Sequence, residues 1–157
     1  MKRLLLLLLL VLGCIKQPVE VVVTARKLVF LPNTCFVFDT TLNDTFAASP
    51  DPLPCQALFI NPPLVSQLPE AVALWGIYHE SAHLVLDHVL NPPDIELAKY
   101  QEAEADCYAA VVIKRFWPLL LPELKATLKE NLGKGSIVHG EPEQRYAAVM
   151  KCLEEIG

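Results

Sequence analysis

The sequence predicts an α+β fold: a small N-terminal sheet packed on a central helix, completed by a helical C-terminal part. Three observations carry this. Short runs of β-branched and large apolar residues fill the region before Asn61. Long helix-compatible segments, bounded by proline pairs and capping residues, follow Pro69. The connections between the early strands are too short for helical crossovers, so the sheet is expected to be antiparallel or mixed.

The chain has 157 residues, the length of one domain. Its hydrophobic content of 53% is enough for a real core even without the leader. The net charge is -5, which argues against a nucleic-acid partner, because phosphate binding needs a basic face.

Residues 1–13 read as a signal peptide. Lys2 and Arg3 precede the apolar run Leu4–Leu12, which is too short to span a bilayer but suits a leader core. The run ends in Val11-Leu12-Gly13-Cys14, which resembles the lipobox of bacterial lipoproteins. That resemblance implies lipidation of Cys14 and attachment to a membrane through the N-terminal lipid. Ordinary secretion is the alternative. Residues 14–18 then form a tether, and residues 19–157 form a single domain.

Within the domain, Val19–Thr24, Leu28–Leu31, Cys35–Asp39 and Gln56–Ile60 read as strands. Thr40–Pro54 is polar and proline-rich and reads as a loop. Leu64–Leu68 is a short turn. A helix starts near Pro69, with Glu70 favourably placed at the positive end of its dipole, and runs to about Leu90, where Asn91-Pro92-Pro93 stops it. Gly76 sits one turn before His79, where it can admit a close neighbour. A second helix is capped by Asp94 and runs to about Phe116. Leu119–Asn131 forms a third, the glycine-rich Leu132–Gly140 a loop, and Pro142 to about Ile156 a last helix.

The domain is organised around Ile77–Asp87, which contains His79-Glu80-Ser81-Ala82-His83. Residues four apart on a helix stand about 40° apart, so both imidazoles face one way and can share a zinc ion. Glu80 lies about 60° round from His83, beside the metal, where a carboxylate serves as general base towards water. A third ligand is expected from another element. Glu102, in Glu102-Ala103-Glu104-Ala105-Asp106, is the best candidate. Asp106 shares its face and can hydrogen-bond a ligand imidazole, and the surrounding alanines allow the two helices to approach closely.

His79-Glu80-x-x-His83, followed after 18 intervening residues by Glu102-x-x-Ala105-Asp106, resembles the gluzincin zinc peptidases. It is most similar to the E-x-x-A-D families that include prenyl-protein peptidases and bacterial membrane-protein quality-control proteases. The resemblance implies Zn²⁺ on His79, His83 and Glu102, catalysis by Glu80, and support from Asp106. It also implies an endopeptidase acting on a protein or peptide substrate, laid along an edge strand for which Gln56–Ile60 is the best choice. His139-Gly140-Glu141-Pro142 and Arg145 resemble, weakly, a His-Pro…Arg stretch of such enzymes. The metzincin pattern is rejected, since Leu86 and Val89 replace its glycine and histidine.

Other polar residues have competing readings. His139 either stabilises an oxyanion over the site, occupies an open metal position at rest, or is a solvated loop residue. His88, about 140° round the helix from His83, does not converge on the ion and reads as a surface or packing residue. Arg145 reads as the anchor of the last helix rather than a substrate contact, Glu104 as solvated, and Tyr78 and Tyr108 as packing residues.

With Cys14 set aside, four cysteines remain, and an even count in an exported chain favours two disulfides. Of three pairings, Cys35–Cys55 would tie the strand segments and Cys107–Cys152 would tie the Glu102 helix to the last helix. Buried free thiols are the alternative. The expected product is a zinc metallopeptidase lipid-anchored in a bacterial cell envelope, or otherwise secreted. Its rivals are a non-catalytic zinc-binding scaffold and a zinc hydrolase of a cell-wall amide.

Overall fold

The computed structural model describes residues 21–23, 26–28, 34–49, 55–88, 94–132 and 140–155. The segments read as a signal peptide and a tether, with Cys14 and His139, lie outside them.

The fold is α+β. Strands β1 (Val21–Val23) and β2 (Arg26–Leu28) pair antiparallel as a separate two-stranded sheet. Strands β3 (Thr34–Phe38), β4 (Phe46–Ser49) and β5 (Gln56–Ile60) form a mixed sheet in the order β3-β5-β4. β5 runs parallel to β3, with Thr34 opposite Gln56, and antiparallel to β4, with Phe46 opposite Ile60. The parallel pair needs no helical crossover because β4, antiparallel to β5, lies between β3 and β5 in sequence.

Two expectations change here. β4 falls inside the segment read as a loop. Its alanines are poor strand formers, and only pairing with β5 makes it a strand. β5 is therefore the central strand, and its neighbours take both of its edges. It cannot receive a substrate strand.

Asn61 ends β5 and caps the short helix α1 (Pro62–Val65), its side chain accepting from the Leu64 amide at 3.4 Å. Helix α2 (Glu70–Val85) follows, with Pro69 at its N-cap. Ala71 to His79 are all buried, so α2 is enclosed on every side and acts as the central strut. At Gly76 an added Cβ would sit 2.4 Å from the Phe46 ring, so the glycine is what lets β4 pack on α2.

α2 ends about five residues earlier than the proline pair suggests. Asp87 adopts a left-handed φ of 54°, and the His88 amide donates to the His83 carbonyl at 2.9 Å. Aspartate tolerates this conformation better than most residues.

Helix α3 (Ile95–Phe116) starts at Asp94, whose carboxylate accepts from the Glu96 amide at 3.1 Å. Ala105, Ala109 and Ala110 are fully buried, and their small side chains bring α3 close to α2. A 3₁₀ turn (Pro118–Leu120) leads into α4 (Leu121–Asn131), and α5 (Pro142–Glu155) closes the domain. Ile113, Leu124, Leu128 and Val149 join Leu58, Trp75 and Tyr78 in one core. Tyr78 is a core residue whose hydroxyl accepts from Trp117 at 3.4 Å. Burial pushes its pKa up to about 12.

Both disulfides form as paired above. Cys35–Cys55 ties β3 to the start of β5, and Cys107–Cys152 ties α3 to α5. No helix among the described residues is long and apolar enough to cross a membrane.

Candidate metal centre

The one-turn spacing on α2 brings His79 and His83 together with Nε2 atoms 3.3 Å apart. α3 places Glu102 against both: Oε2 lies 3.2 Å from His79 Nε2, and Oε1 lies 3.5 Å from His83 Nε2. A tetrahedral ion with bonds of about 2.0–2.1 Å holds its donors about 3.3 Å apart, so the triangle has the size of such a site. His79, His83 and Glu102 can thus hold a metal ion.

The far side of each imidazole is also occupied. His79 Nδ1 lies 2.8 Å from Asp106 Oδ1, leaving Nε2 for the centre. Arg145, from α5, grips Asp106 with both arms: Nε donates to Oδ2 at 2.8 Å and Nη2 to Oδ1 at 2.6 Å. Arg145 does anchor the last helix, and its anchor point is the carboxylate behind a candidate ligand. His83 Nδ1 lies 3.0 Å from His88 Nδ1.

Burial disfavours charge on His79, but Asp106 and Glu102 outweigh it and push its pKa up to about 10. Burial, then the neighbouring His79 charge, pulls His83 down to about 4. Asp106 is fully buried, which opposes ionisation. Arg145 and His79 overcome this and hold its carboxyl below the usual range. The cluster therefore sets the His79 imidazolium and the Arg145 guanidinium against the Asp106 and Glu102 carboxylates.

His79 and Glu80 both open onto a cleft of about 250 Å³, walled by Phe46, Val72, Trp75 and Leu132, with Arg145 at its polar side. The structure thus brings His79, His83, Glu102, Asp106 and Arg145 into one cluster, with Glu80 beside it on the cleft wall.

Three contributors were not legible in the sequence. Phe46, with Asp44 and Thr45, reaches the cleft only because β4 pairs with β5. Of its two readings, surface or packing, His88 takes the packing one, but its partner was not foreseen. The early end of α2 folds it back onto His83, and Asp87 was the only local signal. Glu104 is not simply solvated, since it accepts from the Tyr100 hydroxyl at 2.9 Å and lies 3.4 Å from His88 Nε2.

Fold and site together define an α+β protein in which two neighbouring helices build a three-donor, metal-capable pocket beside a cleft. No family model, curated protein or solved structure matches the chain.

Proposed function

We propose that the chain is a zinc-dependent endopeptidase of gluzincin type, tethered by a lipid on Cys14 to a bacterial envelope membrane. The observation that carries this reading is the donor triangle of His79, His83 and Glu102, with Glu80 next to it on the wall of the same cleft. Two disulfides support an oxidising, extracytoplasmic compartment.

A bound zinc ion supplies Lewis acidity towards a peptide carbonyl and towards water. The chain's own residues do the rest. Glu80 takes a proton from the attacking water and returns it to the leaving amine. Asp106 holds the His79 ring so that Nε2 faces the centre, and Arg145 holds Asp106. The extended substrate is best placed along β4, the edge strand that packs on α2 and enters the cleft at Phe46.

The test is metal analysis of the mature protein, then a proteomic cleavage screen with and without a chelator. About one zinc per chain and chelator-sensitive peptide cleavage are expected. Bound zinc without any cleavage indicates a scaffold. Cleavage of cell-wall fragments but not of unfolded protein indicates an amide hydrolase of the wall. Either result overturns the peptidase reading.

A further inference from the structure

The turn that ends α2 returns a third histidine to the two it carries. His88 is 8% exposed, and its ring meets His83 edge-on at 73°, with centroids 5.0 Å apart. The backbone also ties the two residues, through the His88 amide and the His83 carbonyl. On the far side of the ring, His88 Nε2 faces Glu104 Oε2 at 3.4 Å, and Tyr100 holds the other oxygen of that carboxylate.

We propose that His88 is a positioning residue for His83, setting its tautomer and ring angle so that Nε2 is presented to the metal. The inference rests on the metal centre proposed above. Two nitrogens 3.0 Å apart share one proton: with none they repel, and with two they clash. If His83 is a neutral ligand through Nε2, its own proton is on Nδ1. His88 Nδ1 must then accept, which leaves the His88 proton on Nε2. That is the nitrogen next to the Glu104 carboxylate, where a polar N–H is favoured.

The opposite arrangement puts a proton on His88 Nδ1 and moves the His83 proton to Nε2, blocking the ligand position. Glu104 biases the pair against it. The series Tyr100, Glu104, His88, His83 therefore runs from the exposed face of α3 to the centre. It serves His83 as Arg145 and Asp106 serve His79.

The test compares zinc affinity, by chelator competition, in the wild-type chain and in His88→Leu, His88→Asn and Glu104→Gln. Leucine keeps bulk and removes the acceptor, whereas the asparagine carbonyl can stand where Nδ1 stood. His88→Leu should weaken zinc binding by about 10–100-fold, the usual effect of losing a ligand's outer partner. His88→Asn should recover most of that, and Glu104→Gln should show a smaller loss. Nitrogen NMR of the zinc-loaded wild type should find the His83 proton on Nδ1 and the His88 proton on Nε2.

Unchanged affinity in His88→Leu, or equal losses in folded leucine and asparagine variants, overturns the proposal. So does a His88 proton on Nδ1, and this reading decides the matter should His88→Leu fail to fold. Wild-type chain that takes up no zinc instead removes the metal centre itself, and the His88 role with it.

Discussion

Arg145 on α5 closes both oxygens of Asp106 on α3, 39 residues away in sequence, at 2.6 and 2.8 Å. Both side chains are largely buried, so each charge depends on the other. Arg145→Met should cost about 3–5 kcal/mol, because it strands a buried carboxylate. In an Asp106→Asn background the same substitution should cost much less. Denaturant unfolding of the metal-free protein measures both, and additive losses would show that the pair is uncoupled.

Glu80 and Glu102 should separate by role. Glu102→Gln removes a charged donor, so zinc content after dialysis should fall, and cleavage with it. Glu80→Gln leaves the donor triangle intact. Zinc should stay near one per chain while turnover drops about 10²–10⁴-fold, the usual contribution of a positioned acid–base group. Full activity in Glu80→Gln would end the peptidase mechanism. Wild-type zinc retention in Glu102→Gln would mean that the third ligand is misassigned.

Metal uptake should release protons. His79 is pushed up to about 10, so at pH 7 its imidazole is charged, and the proton must leave before Nε2 can bind an ion. His83, pulled down to about 4, is already neutral and contributes none. Affinity should therefore rise with pH, about tenfold per unit, until the pH reaches the His79 pKa. Calorimetric titration at pH 7 in buffers of different ionisation heat should count about one proton per zinc. A count of zero would contradict this account.

Gly76→Ala should destabilise the fold even though alanine is the better helix former by about 1 kcal/mol. The new methyl meets the Phe46 ring at 2.4 Å, and overpacking of this kind costs about 1–3 kcal/mol. Phe46→Ala should relieve that cost. Thermal unfolding of the single and double variants tests it, and a Gly76→Ala variant more stable than wild type would refute it.

Removing Cys107 and Cys152 together should cost about 2–5 kcal/mol, typical of a native bridge in a small domain. The bridge joins α3, which carries Glu102 and Asp106, to α5, which carries Arg145. Unfolding of the double serine variant, compared with oxidised wild type, measures the loss. No change in midpoint would mean that the helices hold each other unaided.

Local pattern was enough to determine most of the fold. Helical spacing set His79 beside His83, the alanines flanking Glu102 marked a helix able to pack closely on α2, and cysteine parity with strand and helix order selected both disulfides. The first two are properties of residues a few positions apart or of small side chains that lower the cost of close approach; the disulfides, which join residues 20 and 45 apart, followed from the order of the elements.

What the tertiary structure alone decided depends on distant partners. β4 is a strand because β5 accepts it and Gly76 makes room for Phe46, although its own alanines argue otherwise. That pairing moved the sheet edge from β5 to β4. α2 stops at Val85 instead of near Leu90, and the return of the chain through Asp87 makes His88, read only as a surface or packing residue, the neighbour of a candidate ligand. Arg145 finds Asp106 only because α5 packs on α3. Sequence periodicity says which face of an element a residue occupies, but not what another element brings against it, and in this protein that second half makes the ligand support and the cleft.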